Sequence, residues 1–325
     1  MKKYTLIVLY NLISIILLFL LLELGVRIFV PQIRLPGTSA ALIVDSLYND
    51  SPGIRSDTSG TSGGIIKESN RYHSWKYFKP VSANTHKLLF LGDSVTMGIG
   101  VENDSTYSGI INNNIDNINV INPSLIGYSS KDYLNVVNYF LIRNKFDLNF
   151  SSVVIFWTLN DLYSNYPDNE SPEISSNGLI GEIISFLRSN SKAYQFLKNL
   201  LSDRPKTYYE YDSQFYTDSN PLLQRSVADI LRISTICDSL KINFQLILLP
   251  YEYQIRNYNR PGIFQPQQIL EVKLKDRNIN IIDPGKIIRN DYDKSSVDYL
   301  YGDGIHFNER GNSVIAGYLE SVLKI

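Results

Sequence analysis

The segment HKLLFLGDSVTMG, His86 to Gly98, carries a short apolar run, Lys87 to Gly92, that stops on glycine and is followed at once by Asp93 and Ser94. A run of that length bounded by glycine reads as a buried strand. Outward from it the same rhythm repeats. TYSGIINNNI (Thr106 to Ile115) has helical spacing, NVIN (Asn119 to Asn122) is a second short strand, and SKDYLNVVNYFLIRN (Ser130 to Asn144) is an amphipathic helix. SVVIFWT (Ser152 to Thr158) is a buried-strand run rich in β-branched residues. A helix from Pro221 to Leu240, a strand NFQLILLP (Asn243 to Pro250) and a helix from Pro266 to Arg277 follow. The strand INIID (Ile279 to Asp283) and a helix from Glu309 to Leu323 complete the series. Strands alternating with helices predict a parallel sheet covered by helices on both faces. Ligands of such folds bind at the carboxyl ends of the strands.

Composition narrows the function class. Lys and Arg number 31 against 32 Asp and Glu, a formal net charge of −1. No basic excess points to a nucleic-acid partner. Hydrophobic residues at 44% and charged residues at 19% are globular values. Cys237 is the single cysteine, which rules out an intramolecular disulfide and a cysteine-based zinc site. It sits in a helical stretch and reads as a small buried hydrophobe. The three histidines are His73, His86 and His306. That number argues against a His-rich metal centre, and no cofactor is expected. His73 and His86 have no motif around them and read as surface or edge residues.

Residues Tyr4 to Val30 form a nearly continuous apolar stretch. About 27 helical residues reach roughly 40 Å, more than the hydrocarbon core of a bilayer at about 30 Å. A cleaved signal peptide, a signal anchor and a buried core helix compete for this segment. The run continues through Glu23, Leu24, Gly25, Val26 and Arg27 without a small-residue cleavage site, which favours an anchor over residues 1–30. Lys2 and Lys3 precede it, so the positive-inside tendency places the N-terminus in the cytoplasm and the rest of the chain outside. Glu23 and Arg27 fall four apart on one helical face near the outer end.

Residues 31–84 are rich in Gly, Ser, Thr and Pro and read as a linker or membrane-proximal arm. Within it RYHSWKYFKP (Arg71 to Pro80) fits either an edge strand or a surface close to the membrane. Between Leu162 and Asn220 the rhythm breaks. A compact α/β domain does not need about 60 residues between two strands, so residues 162–220 read as a lid-like insertion with one helix, Glu182 to Leu201. YYEYDSQFY (Tyr208 to Tyr216) and YEYQIRNY (Tyr251 to Tyr258) are dense in tyrosine. They fit either stacking on sugar or acyl groups at a site mouth or amphipathic cover over the core.

Four elements of the chain carry chemistry. Ser94 follows a buried strand on a glycine-bounded turn, where a nucleophile and its own backbone N–H are displayed together. Asp303 stands three residues before His306, so one loop supplies a carboxylate for one ring nitrogen while the other faces a serine. Asn160 ends the strand Ser152 to Thr158, with a side-chain amide able to donate to an oxyanion. Gly127, in NPSLIGYSS, lets the backbone approach a reacting group closely. Asp93, Asp161 and Asp283 read as structural partners of loops.

These blocks together resemble the SGNH, or GDSL-type, hydrolase family. GDSVTMG matches its first block, Gly127 its second, Asn160 its third and DGIH its last, over roughly His86 to Ile325. The resemblance implies a three-layer α/β/α flavodoxin-like sandwich with a central parallel sheet over residues 85–325, and metal-free ester hydrolysis. It implies Ser94 as nucleophile, His306 as general base and Asp303 as its orienting partner. The oxyanion hole would be the N–H groups of Ser94 and Gly127 with the Asn160 side chain. The third block of the family usually begins with Gly, whereas this chain has Thr158, which adds bulk beside the hole. The expected activity is a serine esterase acting on O-acyl, chiefly O-acetyl, esters of a cell-surface or exported polysaccharide. The alternatives are O-acyl transfer to a glycan with a membrane acyltransferase partner, a lipase or lysophospholipase, and a non-catalytic glycan-binding module.

Overall fold

The computed structural model describes residues 2–30, 85–125, 127–143, 149–163, 179–201, 203–275, 279–292, 300–302 and 304–323. The expected linker over 31–84, with His73, and the expected triad carboxylate Asp303 lie outside the described residues. The chain divides into two compact units, Met1–Asp45 with Pro167–Arg204 and Ser46–Tyr166 with Pro205–Ile325.

The first unit holds α1 (Lys2–Phe29). Among the described residues it is the helix long and apolar enough to cross a membrane. The later elements of the second unit begin with β1 (His86–Leu91), α2 (Ser94–Met97), α3 (Tyr107–Asn114), β2 (Ile118–Ile121), α4 (Ser130–Val137) and β3 (Phe150–Trp157). Two helices, α5 (Leu179–Asn190) and α6 (Lys192–Leu201), belong to the first unit. The second unit resumes with α7 (Arg204–Ser213), whose first residue is the last of the first unit, then α8 (Pro221–Leu240), β4 (Asn243–Leu248) and α9 (Glu252–Arg256). It ends with α10 (Gln265–Leu274), β5 (Asn280–Ile282), α11 (Gly285–Asp291) and α12 (Glu309–Val322).

The five strands form one parallel sheet in the order β2-β1-β3-β4-β5. This is the doubly wound order of flavodoxin-like folds, and the chain reverses direction across the sheet between β1 and β3. Alternate residues of the strands face opposite layers. Leu88, Phe90, Val120, Val154, Phe156 and Ile247 pack with Tyr107 and Ile111 of α3, Ile288 of α11 and Ile315 and Leu319 of α12. The intervening Leu89, Leu91, Val153, Ile155, Trp157, Leu246 and Leu248 are equally buried. They face the layer where α4 packs on α8, with Tyr133, Val136, Ile230 and Ile233 buried there. Cys237 of α8 is buried and its thiol is pushed up to about 12 by that burial.

The helices start where short polar side chains replace the missing backbone acceptors. Thr106 accepts from the Gly109 N–H at 3.1 Å, Asn220 from Leu222 at 2.8 Å and Asn308 from Gly311 at 2.9 Å. Asp283 accepts from the Gly285 N–H at 2.7 Å at the start of α11, the structural part expected of it. The helix expected to run from Ser130 to Asn144 is α-helical to Val137 and passes into a π-helical turn, Asn138–Ile142.

The single helix expected over Glu182 to Leu201 is two helices broken at Ser191. The break has a physical cause. The Ser191 hydroxyl accepts from the Tyr194 N–H at 3.0 Å and donates to a Glu23 carboxylate oxygen at 2.7 Å. The same carboxylate accepts from the N–H groups of Lys192 at 3.1 Å and Ala193 at 2.8 Å. Arg27 donates to Glu23 at 2.6 Å and to the carbonyl of Asn190, the last residue of α5, at 3.0 Å. Glu23 and Arg27 of α1 therefore serve the two helix ends that meet at Ser191, an acid at a helix N-terminus and a base at a helix C-terminus. Replacing Glu23 with Ala should weaken the start of α6 by about 1 kcal/mol, the usual worth of an N-cap. Faster hydrogen exchange at the amides of Lys192 and Ala193 would record it, with the β-sheet amides unchanged.

Candidate active site

β1 delivers Gly92, Asp93 and Ser94 to the carboxyl edge of the sheet, and β3 delivers Thr158, Asn160 and Asp161 to the same edge. They flank the point where the strand order reverses, which is where ligands bind in such sheets. The turn after β1 is tight enough to demand glycine. A Cβ on Gly92 would stand 1.8 Å from Oγ1 of Thr96, a side chain with no exposed surface.

Ser94 begins α2, and its Oγ lies 2.8 Å from Nε2 of His306. The serine and histidine singled out in the sequence are thus in direct contact, though 212 residues apart. His306 sits on a loop closed by an antiparallel bridge between Tyr301 and Phe307 and by a 2.7 Å bond from the Gly302 N–H to the His306 carbonyl. Gly304, two residues earlier, has φ +102 and lies so near Pro205 that a Cβ would come within 2.6 Å of its ring. Its carbonyl accepts from the Glu252 N–H at 3.0 Å, tying the histidine loop to the start of α9.

Asn160 approaches Ser94 through Asp93. The buried Asp93 carboxylate accepts from the Val95 N–H at 2.9 Å, from Nδ2 of Asn160 at 2.9 Å and from the Ser94 hydroxyl at 3.2 Å. The last is the longer of the two contacts of Ser94 Oγ, whose one proton has its closer acceptor in His306. Asp93 is therefore more than a loop partner, because it fixes which way the Asn160 amide points. Asp161, expected as structural, accepts from the backbone N–H of Thr158 at 2.9 Å, and its other oxygen lies 2.9 Å from the Thr158 hydroxyl. Burial, and then the charge of Asp93, push the Asp161 carboxyl well above the usual carboxylate range. Thr158, where the family pattern has Gly, turns its hydroxyl 2.8 Å from Oδ1 of Asn160 and so braces the amide.

Gly127 lies buried on the loop that leaves β2, the strand beside β1, with φ +73, a backbone conformation that glycine adopts freely. His86 is the exposed first residue of β1, a surface position, one of the two expected for it.

Two residues without a motif complete the site. The Tyr251 hydroxyl is 2.9 Å from Oδ1 of Asn160 and 2.6 Å from Oδ2 of Asp212, and Tyr163 bonds the other oxygen of Asp212. Asp212 and Tyr251 come from the two tyrosine-dense segments. Their density was the available signal, but it pointed to stacking or cover, whereas Tyr251 and Tyr216 are buried and spend their hydroxyls on internal bonds. Tyr216 accepts from the Trp157 indole at 2.8 Å and donates to the Leu159 carbonyl at 3.1 Å. Among the described residues no group of three or more His, Cys, Asp or Glu is placed to hold a metal ion. A groove of about 810 Å³ lined by Asn243, Gln245, Glu271, Lys275 and Asn280 opens at the amino ends of β4 and β5, the opposite edge from Ser94.

The loop geometry makes Gly304 a sensitive position. Gly304→Ala should force the backbone out of its φ and press on Pro205, moving His306 away from Ser94. We expect a loss of about 1–3 kcal/mol in unfolding stability and slower labelling of Ser94 by a fluorophosphonate in the protein that remains folded.

No family model matches the chain, and no curated protein matches it. Solved structures are similar to it at low identity. A putative lipolytic protein of the G-D-S-L family from Desulfitobacterium hafniense is similar at 16% identity and TM-score 0.44, covering 74% of this chain and 100% of that one. A lipase/acylhydrolase from Enterococcus faecalis is similar at 19% identity and TM-score 0.40, over 74% and 98%. A catalytic mutant of an acetylxylan esterase from Geobacillus stearothermophilus is similar at 15% identity and TM-score 0.43, over 74% and 95%.

Proposed function

We propose that the chain is a serine ester hydrolase of the SGNH type, held at a membrane by α1. The observation that carries the reading is the 2.8 Å approach of Ser94 Oγ to His306 Nε2 at the carboxyl end of β1, with the Asn160 amide joined to the same turn through Asp93. A serine in contact with an imidazole, at the edge where such sheets bind ligands, is the arrangement that acyl transfer requires.

On this reading His306 Nε2 takes the Ser94 proton as Oγ bonds to the ester carbonyl carbon. The carbonyl electron pair moves onto oxygen, where the Ser94 N–H, the Gly127 N–H and Nδ2 of Asn160 stabilise it. Collapse breaks the bond to the alcohol, which leaves with the proton held by His306. Water, deprotonated by the same imidazole, then releases the acid and restores Ser94. Asp303 orients His306 through its other ring nitrogen. Asn160 has two amide hydrogens, and Asp93 engages one of them, so the second is available to the oxyanion. Removing such a donor typically lowers kcat by about 10²–10³.

The substrate we propose is an O-acyl ester, chiefly acetyl, on a cell-surface or exported polysaccharide. Lys2 and Lys3 before an apolar span of 26 residues, Tyr4–Phe29, support an N-terminus in the cytoplasm and a catalytic unit outside. Neither metal nor cofactor enters this chemistry.

The test is acetate release from an acetylated polysaccharide and from p-nitrophenyl acetate by the full chain in detergent or bilayer discs. Ser94→Ala should abolish turnover, a loss on the order of 10⁴-fold or more, with unchanged circular dichroism. Equal rates for the two proteins would overturn the reading. Acylation of Ser94 that turns over only on adding a glycan acceptor would convert the hydrolase into an acyltransferase using the same residues.

A further inference from the structure

The hydrogen bonds around Asn160 contain more acceptors than protons. Oδ1 of the amide faces two hydroxyls, Thr158 at 2.8 Å and Tyr251 at 2.9 Å. Each hydroxyl has one proton, and each also touches a buried carboxyl, Thr158 that of Asp161 at 2.9 Å and Tyr251 that of Asp212 at 2.6 Å. A hydroxyl that donates to the amide must receive from its carboxyl, and only a protonated carboxyl has a hydrogen to give. The reverse amide orientation would set Oδ1 against the Asp93 carboxylate, two acceptors with no hydrogen between them. The orientation that aims Nδ2 at Asp93, beside Ser94, is thus coupled to where these protons sit.

We propose that Asp212 and Tyr251 form a proton-ordered clamp that positions the Asn160 amide for the ester-cleaving reaction. Protonated Asp212 donates through Oδ2 to the Tyr251 oxygen, and Tyr251 then donates to Oδ1 of Asn160. Ionised Asp212 recaptures the Tyr251 proton, leaving Thr158 as the remaining donor to the amide. Asp212 is 3% exposed, and desolvation raises its carboxyl above the usual range against the opposing bonds from Tyr163 and Tyr251. Among the described residues the titratable groups around it are Tyr163 after β3, Tyr251 before α9, Tyr216 after α7 and Asp93 at the end of β1. The charge of Asp93 also favours the neutral acid. The clamp is complete below the raised pKa of Asp212 and is lost as pH rises through it. Neither residue touches substrate, so both are positioning residues. The inference rests on the hydrolase reading for its effect on rate, and on hydrogen-bond chemistry alone for the protonation state.

The test takes the full chain in bilayer discs and measures kcat and KM on p-nitrophenyl acetate against pH. Variants are Tyr251→Phe, Asp212→Ala and Asp212→Asn, with Ser94→Ala as control. Loss of one neutral hydrogen bond should lower kcat about five- to tenfold in Tyr251→Phe and Asp212→Ala, with KM little changed. Asp212→Asn has an amide hydrogen to give Tyr251, so it should recover most of the rate that Asp212→Ala loses. It should also lack the decline with rising pH that Asp212 ionisation imposes on the natural protein. If Asp212→Asn is as impaired as Asp212→Ala and keeps the natural pH profile, the clamp is overturned. Infrared difference spectra give a readout that does not depend on activity. The natural protein minus Asp212→Asn should show the C=O stretch of a protonated carboxyl, and its absence at neutral pH overturns the proposal even if the ester reading stands. If that band is present while no Ser94-dependent cleavage occurs, the ester reading has failed and the proton order is upheld.

Discussion

A buried carboxylate holds the site together. Asp93 has no exposed surface, and its two oxygens accept from the Val95 N–H and the Asn160 amide, with the Ser94 hydroxyl at a longer 3.2 Å. An unpaired charge in that position would cost several kcal/mol, so each of these donors is held firmly. The first bond shapes the turn that displays Ser94, and the second draws the end of β3 against the end of β1. The carboxylate thereby joins the two strands that flank the reversal of strand order, and the candidate chemistry sits between them. Gly92 makes the arrangement possible, because a side chain there would occupy the space of Thr96.

The same economy of polar groups governs the surroundings. Asp161 and Asp212 are buried carboxyls with hydroxyl partners, pushed toward the neutral acid by loss of water and by Asp93. Neutral acids can donate, and this lets hydroxyl groups of Thr158 and Tyr251 serve the amide instead of the carboxylates. Thr158 therefore adds a bond at the position where bulk alone was expected. In the first unit Glu23 and Arg27 follow a parallel logic. Polar residues within an apolar helix find their partners at the break between α5 and α6, and the broken helix ends gain a cap in return.

The sheet was legible because hydrophobic runs of four to eight residues separated by amphipathic helices have few arrangements that bury both kinds of surface. The break between α5 and α6 and the bonds of Asp212 and Tyr251 share one feature, that they depend on a distant partner. Asn190 and Ser191 are N-cap residue types and Ser191 caps Tyr194 locally, but the carboxylate of Glu23, 168 residues away, also accepts from the Lys192 and Ala193 N–H groups at this break. Asp212 and Tyr251 belong to segments whose tyrosine density fits stacking at a site mouth or cover over the core, and neither reading contains their hydroxyl–carboxyl bond.

The sequence by itself determined that strands alternate with helices, that an apolar segment precedes them, and which serine, histidine and asparagine stand at strand or helix ends. Those features follow from local periodicity and from chain chemistry. The tertiary structure alone decided that Ser94 and His306 touch, that Asp93 orients Asn160, and that a carboxyl from α7 reaches the amide through Tyr251. Such contacts join residues between 67 and 212 positions apart in the one direction and 39 to 91 in the other. They arise from the need to pair every buried polar group once the sheet has closed, and that need has no signature in the local order of residues.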